Sequence, residues 1–365
     1  MHVHRERWDE MAPAPDSFAM ECMVDPKTWE RPYVVKPRKD VKAWVETPHR
    51  TQHYESKVSS AIRREYGWRR PMSDEGGGLR LEAEFSVHRP VRRSRKEIYS
   101  PVKPDIDNFA RAFLEGFDFR AKTQEGDGKE GRRLSLVDMG SPIVAMALTK
   151  RWAERDEWGM TRFSVTHDGD DGMPFSPLMR GLSSPTPKGV VAFSDQNGVV
   201  RLVSGELPPA PDSYAAYYTE KPVPWHEPRF YGQVLGPDKR ADAYAKAIRR
   251  RAMADYGLRK PIDGTLLLEV EILLSPKSHD SRWMQWILLV DYVKILMDAL
   301  VYRMKTPDGL QLGVFAQDSR VAALMATMRP AEPSERPGVK FAVSPMLGRE
   351  TAERMFRHIE TGRVL

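Results

Sequence analysis

Asp105 and Asp107 stand two residues apart in the run Lys103-Pro104-Asp105-Ile106-Asp107-Asn108, just ahead of an apolar-periodic segment whose spacing predicts a helix. On an extended entry to a helix, residues two apart point to the same side. Two crowded carboxylates repel unless a proton or a cation lies between them. All-oxygen ligation of this kind suits Mg²⁺, and Mg²⁺ held by aspartates is a route to phosphodiester cleavage. The plainer alternative is a helix N-cap cluster, because Asp and Asn favour that position.

Cationic side chains surround the pair in sequence. Arg89, Arg92, Arg93, Arg95 and Lys96 precede it, and Lys103 lies two residues before Asp105. A charge run is by default a solvated face; beside a metal site it reads as a clamp on the phosphates of a nucleic acid. Arg111, one turn into the helix, is placed to contact a scissile phosphate through its planar fork. Its plainer role is an i, i+4 ion pair with Asp107.

The elements that must position these residues belong to a chain of 365 residues, long enough for two or three domains. The net charge of +6 is modestly basic, which fits a polyanionic partner without requiring one. The single cysteine, Cys22, excludes an intramolecular disulfide, and no Cys/His cluster has zinc spacing. The first residues, MHVHRERWDEMAP, lack the apolar core of a signal peptide. The most apolar run, WILLVDYVKILMDALV, is broken by Asp291, Lys294 and Asp298 and is too short to span a bilayer. A cytoplasmic protein, without a membrane partner, is expected.

The two halves of the sequence repeat one another. Tyr54, Val58, Ile62 and Tyr66 match Tyr244, Ile248, Ala252 and Tyr256, 190 residues on, each set forming one buried helix face. Both predicted helices end at glycine, Gly67 and Gly257. Leu81-Glu82-Ala83-Glu84-Phe85 matches Leu268-Glu269-Val270-Glu271-Ile272, and the alternation predicts two half-exposed strands with outward glutamates. Arg111 and Glu115 match Lys294 and Asp298 on the second helix. Ser141, Ile143, Thr149 and Arg151 match Ser319, Val321, Thr327 and Arg329 on the last strand, 178 residues on. The offset shrinks stepwise, so the extra residues of the first half belong in loops. Each half reads as an extended segment, helix, strand, helix and strand, an α+β domain.

Against that frame, Pro104-Asp105-Ile106-Asp107-Asn108 resembles the RusA family of Holliday junction resolvases, whose pattern is Pro-Asp-x-Asp-Asn opening a helix, a Lys on that helix, and an Asp pair on the following strand. In the second half Lys294, Asp298-Ala299-Leu300 and Gln317-Asp318-Ser319-Arg320-Val321 resemble the later parts of the pattern, and Thr219 to Phe230 resembles the family's Pro-rich first strand. The resemblance covers about two thirds of the chain. It implies small mixed α/β domains that act as homodimers, use Mg²⁺, and cut four-way DNA junctions. The chain departs from the pattern in both halves. Leu288 and Val290 stand where the second half would carry the aspartate pair, Arg111 replaces the helix Lys, and Gly140 stands opposite Asp318.

Together these imply an α+β fold of two tandem RusA-like mixed α/β domains forming an intramolecular pseudo-dimer. Residues 20–160 form the catalytic copy. Residues 161–212 are a linker with a small hairpin around Asn197-Gly198, 213–335 the degenerate copy, and 336–365 a tail with a short helix. Asp105, Asp107 and Asp138, two residues before Gly140 and on the same strand face, are the expected Mg²⁺ ligands, with Arg111 as a fourth catalytic residue. Arg89, Arg92, Arg93, Arg95, Lys96, Lys103 and Lys294 are the expected DNA contacts. Asp318 reads as a relic, a surface residue, or a carboxylate donated across the pseudo-dimer interface, with the relic favoured. The expected activity is Mg²⁺-dependent endonucleolytic cleavage of branched DNA, by one chain or by a homodimer of the pseudo-dimer. The alternatives are an inactive branched-DNA-binding protein and a protein–protein scaffold.

Overall fold

A computed structural model describes residues 11–30, 33–35, 44–46, 48–73, 78–90, 98–121, 132–138, 143–167, 172–187, 207–225, 229–231, 234–236, 238–276, 289–301, 312–346, 351 and 354–356. The first half runs β1 (Ser17–Cys22), β2 (Tyr33–Val35), β3 (Trp44–Glu46), α1 (His49–Tyr66), β4 (Leu79–Val87), α2 (Ile106–Glu115), β5 (Asp118–Ala121), β6 (Arg132–Ser135), β7 (Ile143–Trp152) and β8 (Met160–His167). A short α3 (Pro177–Arg180) follows. The second half runs β9 (Tyr214–Tyr218), β10 (Arg229–Tyr231), β11 (Val234–Gly236), α4 (Lys239–Tyr256), β12 (Leu266–Leu274), α5 (Leu289–Leu300), a 3₁₀ turn at Asp318–Arg320, β13 (Val321–Pro330) and β14 (Gly338–Pro345). The chain is thus a mixed α+β protein built on one eight-stranded sheet. No helix among the described residues is long and apolar enough to cross a membrane.

The sheet order is β1-β8-β4-β7-β13-β12-β14-β9, which reads as the same four-strand arrangement from either edge. β4 pairs parallel with β7, and β12 pairs parallel with β13. The halves join where β7 meets β13 antiparallel, and Ala147 faces Met325, the residue 178 further on. Equivalent residues therefore meet at the centre of the junction, as in an isologous contact. Side-chain details repeat as well. The Tyr66 hydroxyl donates to the Arg70 carbonyl and the Tyr256 hydroxyl to the Lys260 carbonyl. Arg151 pairs with Glu84 and Glu157, as Arg329 does with Glu271 and Glu335.

The buried stripes of α1 and α4 are those the sequence predicts, Tyr54, Val58, Ile62 and Tyr66 and their counterparts, and they pack into the core on one side of the sheet. Each buried Val or Ile of these stripes contributes about 1.5–3 kcal/mol on burial. Gly67 closes α1 at φ 70° and Gly257 closes α4 at φ 74°, a left-handed turn that glycine adopts without Cβ strain.

Three expectations require correction. First, β4 and β12 are not half-exposed: Glu82, Glu84 and Glu269 are buried. A second layer covers that face, with Tyr99, Met173, Met346, Met355 and Phe356 packed in one cluster. The glutamates are held there by partners: Arg80 for Glu82 at 2.9 Å, Arg151 for Glu84 at 2.9 Å, and the Ser176 backbone and hydroxyl for Glu269. Buried charges persist only when paired. Second, the boundary at 160 severs β8, which pairs with both β1 and β4, and residues 172–187 line the sheet rather than act as a spacer. Third, the expected tail contains β14, a strand between β12 and β9. The hairpin around Asn197-Gly198 lies outside the described residues, as does most of the expected Arg349 to Ile359 helix.

Candidate functional site

The route to the site begins at the C-terminal end of β7. Trp152 N–H donates to the Ile98 carbonyl at 2.9 Å and Ser100 N–H to the Lys150 carbonyl at 3.0 Å, strapping the segment before α2 along that strand. This delivers Asp105 to the N-cap of α2 with extended backbone, φ −74° and ψ 150°. Its side chain makes no capping bond, so capping does not account for it. One oxygen, Oδ2, accepts a long 3.4 Å bond from Asn108, and Oδ1 is buried without a hydrogen-bond partner.

Asp107, 3% exposed, lies in the first turn of α2 and accepts a 3.1 Å bond from Lys294 Nζ. Lys294 comes from α5, in the other half. Arg111 on α2 pairs with Asp291 on α5, so the two helices run past each other in opposite directions, with their first halves in contact. That arrangement brings Asp318, in the turn before β13, into the same field. Burial first, then Asp298, Asp105 and Asp107, together push Asp318 up to about 7 against the opposing pull of Lys294. Asp105 is also raised, first by burial and then by Asp107, with Lys150, Lys294 and Lys103 opposing. Four carboxylates and two buried ammonium groups therefore share one electrostatic environment, drawn from both halves. Burial outweighs the opposing pull of Asp105 and Asp107 and leaves Lys150 lowered to about 8.

Among the described residues, no three His, Cys, Asp or Glu side chains stand close enough to hold a metal ion as they are. Mg²⁺ does not demand three: it keeps several waters and takes one or two carboxylates plus substrate phosphate. The orphaned Oδ1 of Asp105 and the raised carboxyls of Asp105 and Asp318 fit a hard divalent cation on that criterion.

The linkage has a definite sign. A carboxyl whose folded pKa lies above its unfolded value binds more protons when folded, so stability falls as pH rises between the two values. For Asp318 that window runs from 3.8 to about 7. Asp318→Asn is expected to raise the melting temperature of the metal-free chain at pH 8, by about 2–4 °C for each kcal/mol relieved, and to change it little at pH 4. Thermal denaturation at the two pH values checks this.

The expected site residues fall in different places. Asp105 and Asp107 come together. Asp138 does not join them: it is half-buried, follows the Met72–Val137 bridge, and lies two residues past Leu136, whose N–H bonds the Phe117 carbonyl beyond the far end of α2. The ten-residue helix separates it from the pair by roughly 15 Å. Arg111 is not free to reach a phosphate. It is buried, bound to Asp291, and packed against the rings of Trp29 and Trp225 at 4.4 Å and 4.7 Å. Lys294 is buried against Asp107 rather than spread on a DNA-facing surface. Lys103 is exposed and Arg89 half-buried, both in the segment between β4 and α2. Arg92, Arg93, Arg95, Lys96, Gly140 and Leu288 lie outside the described residues.

Sequence reasoning missed Lys150 and gave Asp298 no role in the site. The only sign of Lys150 was one ammonium in the strand Ile-Val-Ala-Met-Ala-Leu-Thr-Lys, where its counterpart 178 residues on is Met328. No protein-family model matches the chain, and no curated protein matches it in sequence.

Proposed function

We propose that the chain is a Mg²⁺-dependent endodeoxyribonuclease of the RusA kind acting on branched DNA, with one working site shared between two tandem RusA-like halves that form an intramolecular pseudo-dimer. The observation that carries this reading is the meeting of Asp105 and Asp107, from the first half, with Lys294 and Asp318, from the second. Each half supplies what the other lacks. The first keeps the aspartate pair of the family pattern and lacks its Lys; the second keeps the Lys and the strand Asp and has Leu288 and Val290 in place of the pair. Divergence that preserves one composite site and abandons its pseudo-symmetric twin leaves this pattern.

Asp105 and Asp107 would hold the cation, with Asp318 as a third oxygen donor. A bound Mg²⁺ supplies an activated water and stabilises charge on the leaving oxygen. Lys294 balances the Asp107 charge and would turn toward the phosphate if a cation took that carboxylate. Lys103, exposed beside Asp105, tracks the backbone of the entering strand. Asp318 must be ionised to ligate, so Mg²⁺ affinity rises with pH through about 7. An inactive binder of branched DNA is the second reading, favoured by the Lys294–Asp107 pair and by the absence, among the described residues, of a ready three-ligand cluster.

The test is incubation of labelled four-way junction, fork and linear duplex with wild type and Asp107→Asn, with and without Mg²⁺. Junction cutting by wild type in Mg²⁺ alone, with salt-dependent binding kept in both proteins, is expected. Binding without cutting by wild type favours the inactive binder. Equal cutting by the variant overturns the assignment, and absence of any DNA binding points to a scaffold.

A further inference from the structure

We propose that Lys150 is a positioning residue that clamps the two arms of the acidic site, one from each half of the chain, and fixes their separation before cation or DNA arrives; the functional meaning of this rests on the nuclease reading above. Lys150 is 0% exposed in β7. Its Nζ donates to the carbonyls of Val102 and Pro104, each at 2.8 Å, and of Ser319 at 3.2 Å. An ammonium has three N–H donors and no acceptor, so all three are used. Val102 and Pro104 belong to the segment that carries Asp105, and Ser319 follows Asp318. One side chain therefore joins the residue beside each acid, across a sequence separation of well over a hundred residues.

A buried ammonium left without partners is costly, and here no direct ion pair among the described residues relieves it. Three carbonyl dipoles do so, at positions that hold the site together. A generic core lysine would be expected at both ends of a repeated sheet. At the other end stands Met328, buried and neutral, and Val290 stands in place of Asp107. The cation occurs only where the acids occur.

The experiment is amide hydrogen exchange on the metal-free full chain, wild type against Lys150→Met, the substitution that copies the opposite end. Protection in segments 99–109 and 317–321 is expected to fall together by at least about tenfold, with α1 and β12 unchanged. Calorimetry with Mg²⁺ alone is expected to show weaker binding by the variant. Lys150→Gln retains two donors and is expected to show a smaller fall in both segments; should Lys150→Met fail to fold, the Gln variant decides by the same criterion. Unchanged protection, or a loss confined to one of the two segments, overturns the proposal. Failure of wild type to bind Mg²⁺ would instead count against the nuclease reading, while the exchange result would still decide the clamp.

Discussion

Asp318→Asn is expected to abolish Mg²⁺-dependent junction cutting as completely as Asp107→Asn, although the two residues lie on opposite halves of the chain. The reason is geometric. α2 and α5 run antiparallel, with Lys294 on Asp107 and Arg111 on Asp291. The turn before β13 therefore serves the helix entrance of the other half rather than its own. Loss of one preorganised charge in a site of this kind costs a factor on the order of 10²–10³ in rate. Single-turnover cutting of a labelled junction, with binding measured in parallel, checks the prediction. Wild-type cutting by Asp318→Asn would make it the relic favoured from sequence alone, and full activity of Asp138→Asn would agree with Asp138 standing apart from the pair.

The second large effect concerns stability. Arg111→Ala is expected to destabilise the fold by about 3–5 kcal/mol, because it breaks the buried pair with Asp291 at the contact between the halves. The guanidinium also packs on the rings of Trp29 and Trp225, which meet each other edge to face at 5.5 Å. Arg111→Lys keeps the charge but loses the planar stack, so a smaller loss is expected. Denaturant unfolding of Arg111→Ala, Asp291→Ala and the double variant measures the coupling directly. Near-additive losses would mean the pair does not join the halves. The result also separates roles: Arg111 acts through the interface, so any loss of cutting should track loss of folded protein.

Much of the fold was legible because the repeat supplies its own control. The stripe from Tyr54 to Tyr66 recurs at Tyr244 to Tyr256, and both are the buried faces of 18-residue helices. β7 and β13 begin at Ile143 and Val321, the matched positions. β8 and β14 were equally legible and were missed: Phe163-Ser164-Val165 and Phe341-Ala342-Val343 continue the same offset of 178, yet both were assigned to connecting or terminal segments. The glutamates of β4 and β12 misled for a physical reason. Alternation of apolar and acidic residues signals a solvated face only when nothing covers it. Arg80 is a partner two residues away on the same strand, but Arg151 and Ser176 supply partners from distant sequence, which no local pattern can reveal.

The site divides in the same way. Asp105 and Asp107 were readable from spacing, because a two-residue step on an extended entry is a local property. Asp138 was chosen by adjacency to the expected position, and adjacency gives no information on which end of a helix a strand approaches. Asp318, Lys294 and Lys150 converge through the junction of β7 with β13 and the packing of α2 on α5. Neither contact leaves a local trace in the sequence.

The proposed function requires a single divalent cation shared by the start of α2 and the turn before β13. Iron-mediated affinity cleavage tests it most directly: Fe²⁺ bound in place of Mg²⁺, with ascorbate and peroxide, cuts the polypeptide near the ion, and mass spectrometry locates the breaks. Breaks are predicted around residues 103–109 and around 317–320 together, suppressed by excess Mg²⁺ and absent in Asp107→Asn. Breaks confined to one half, or none that Mg²⁺ suppresses, would contradict a shared cation.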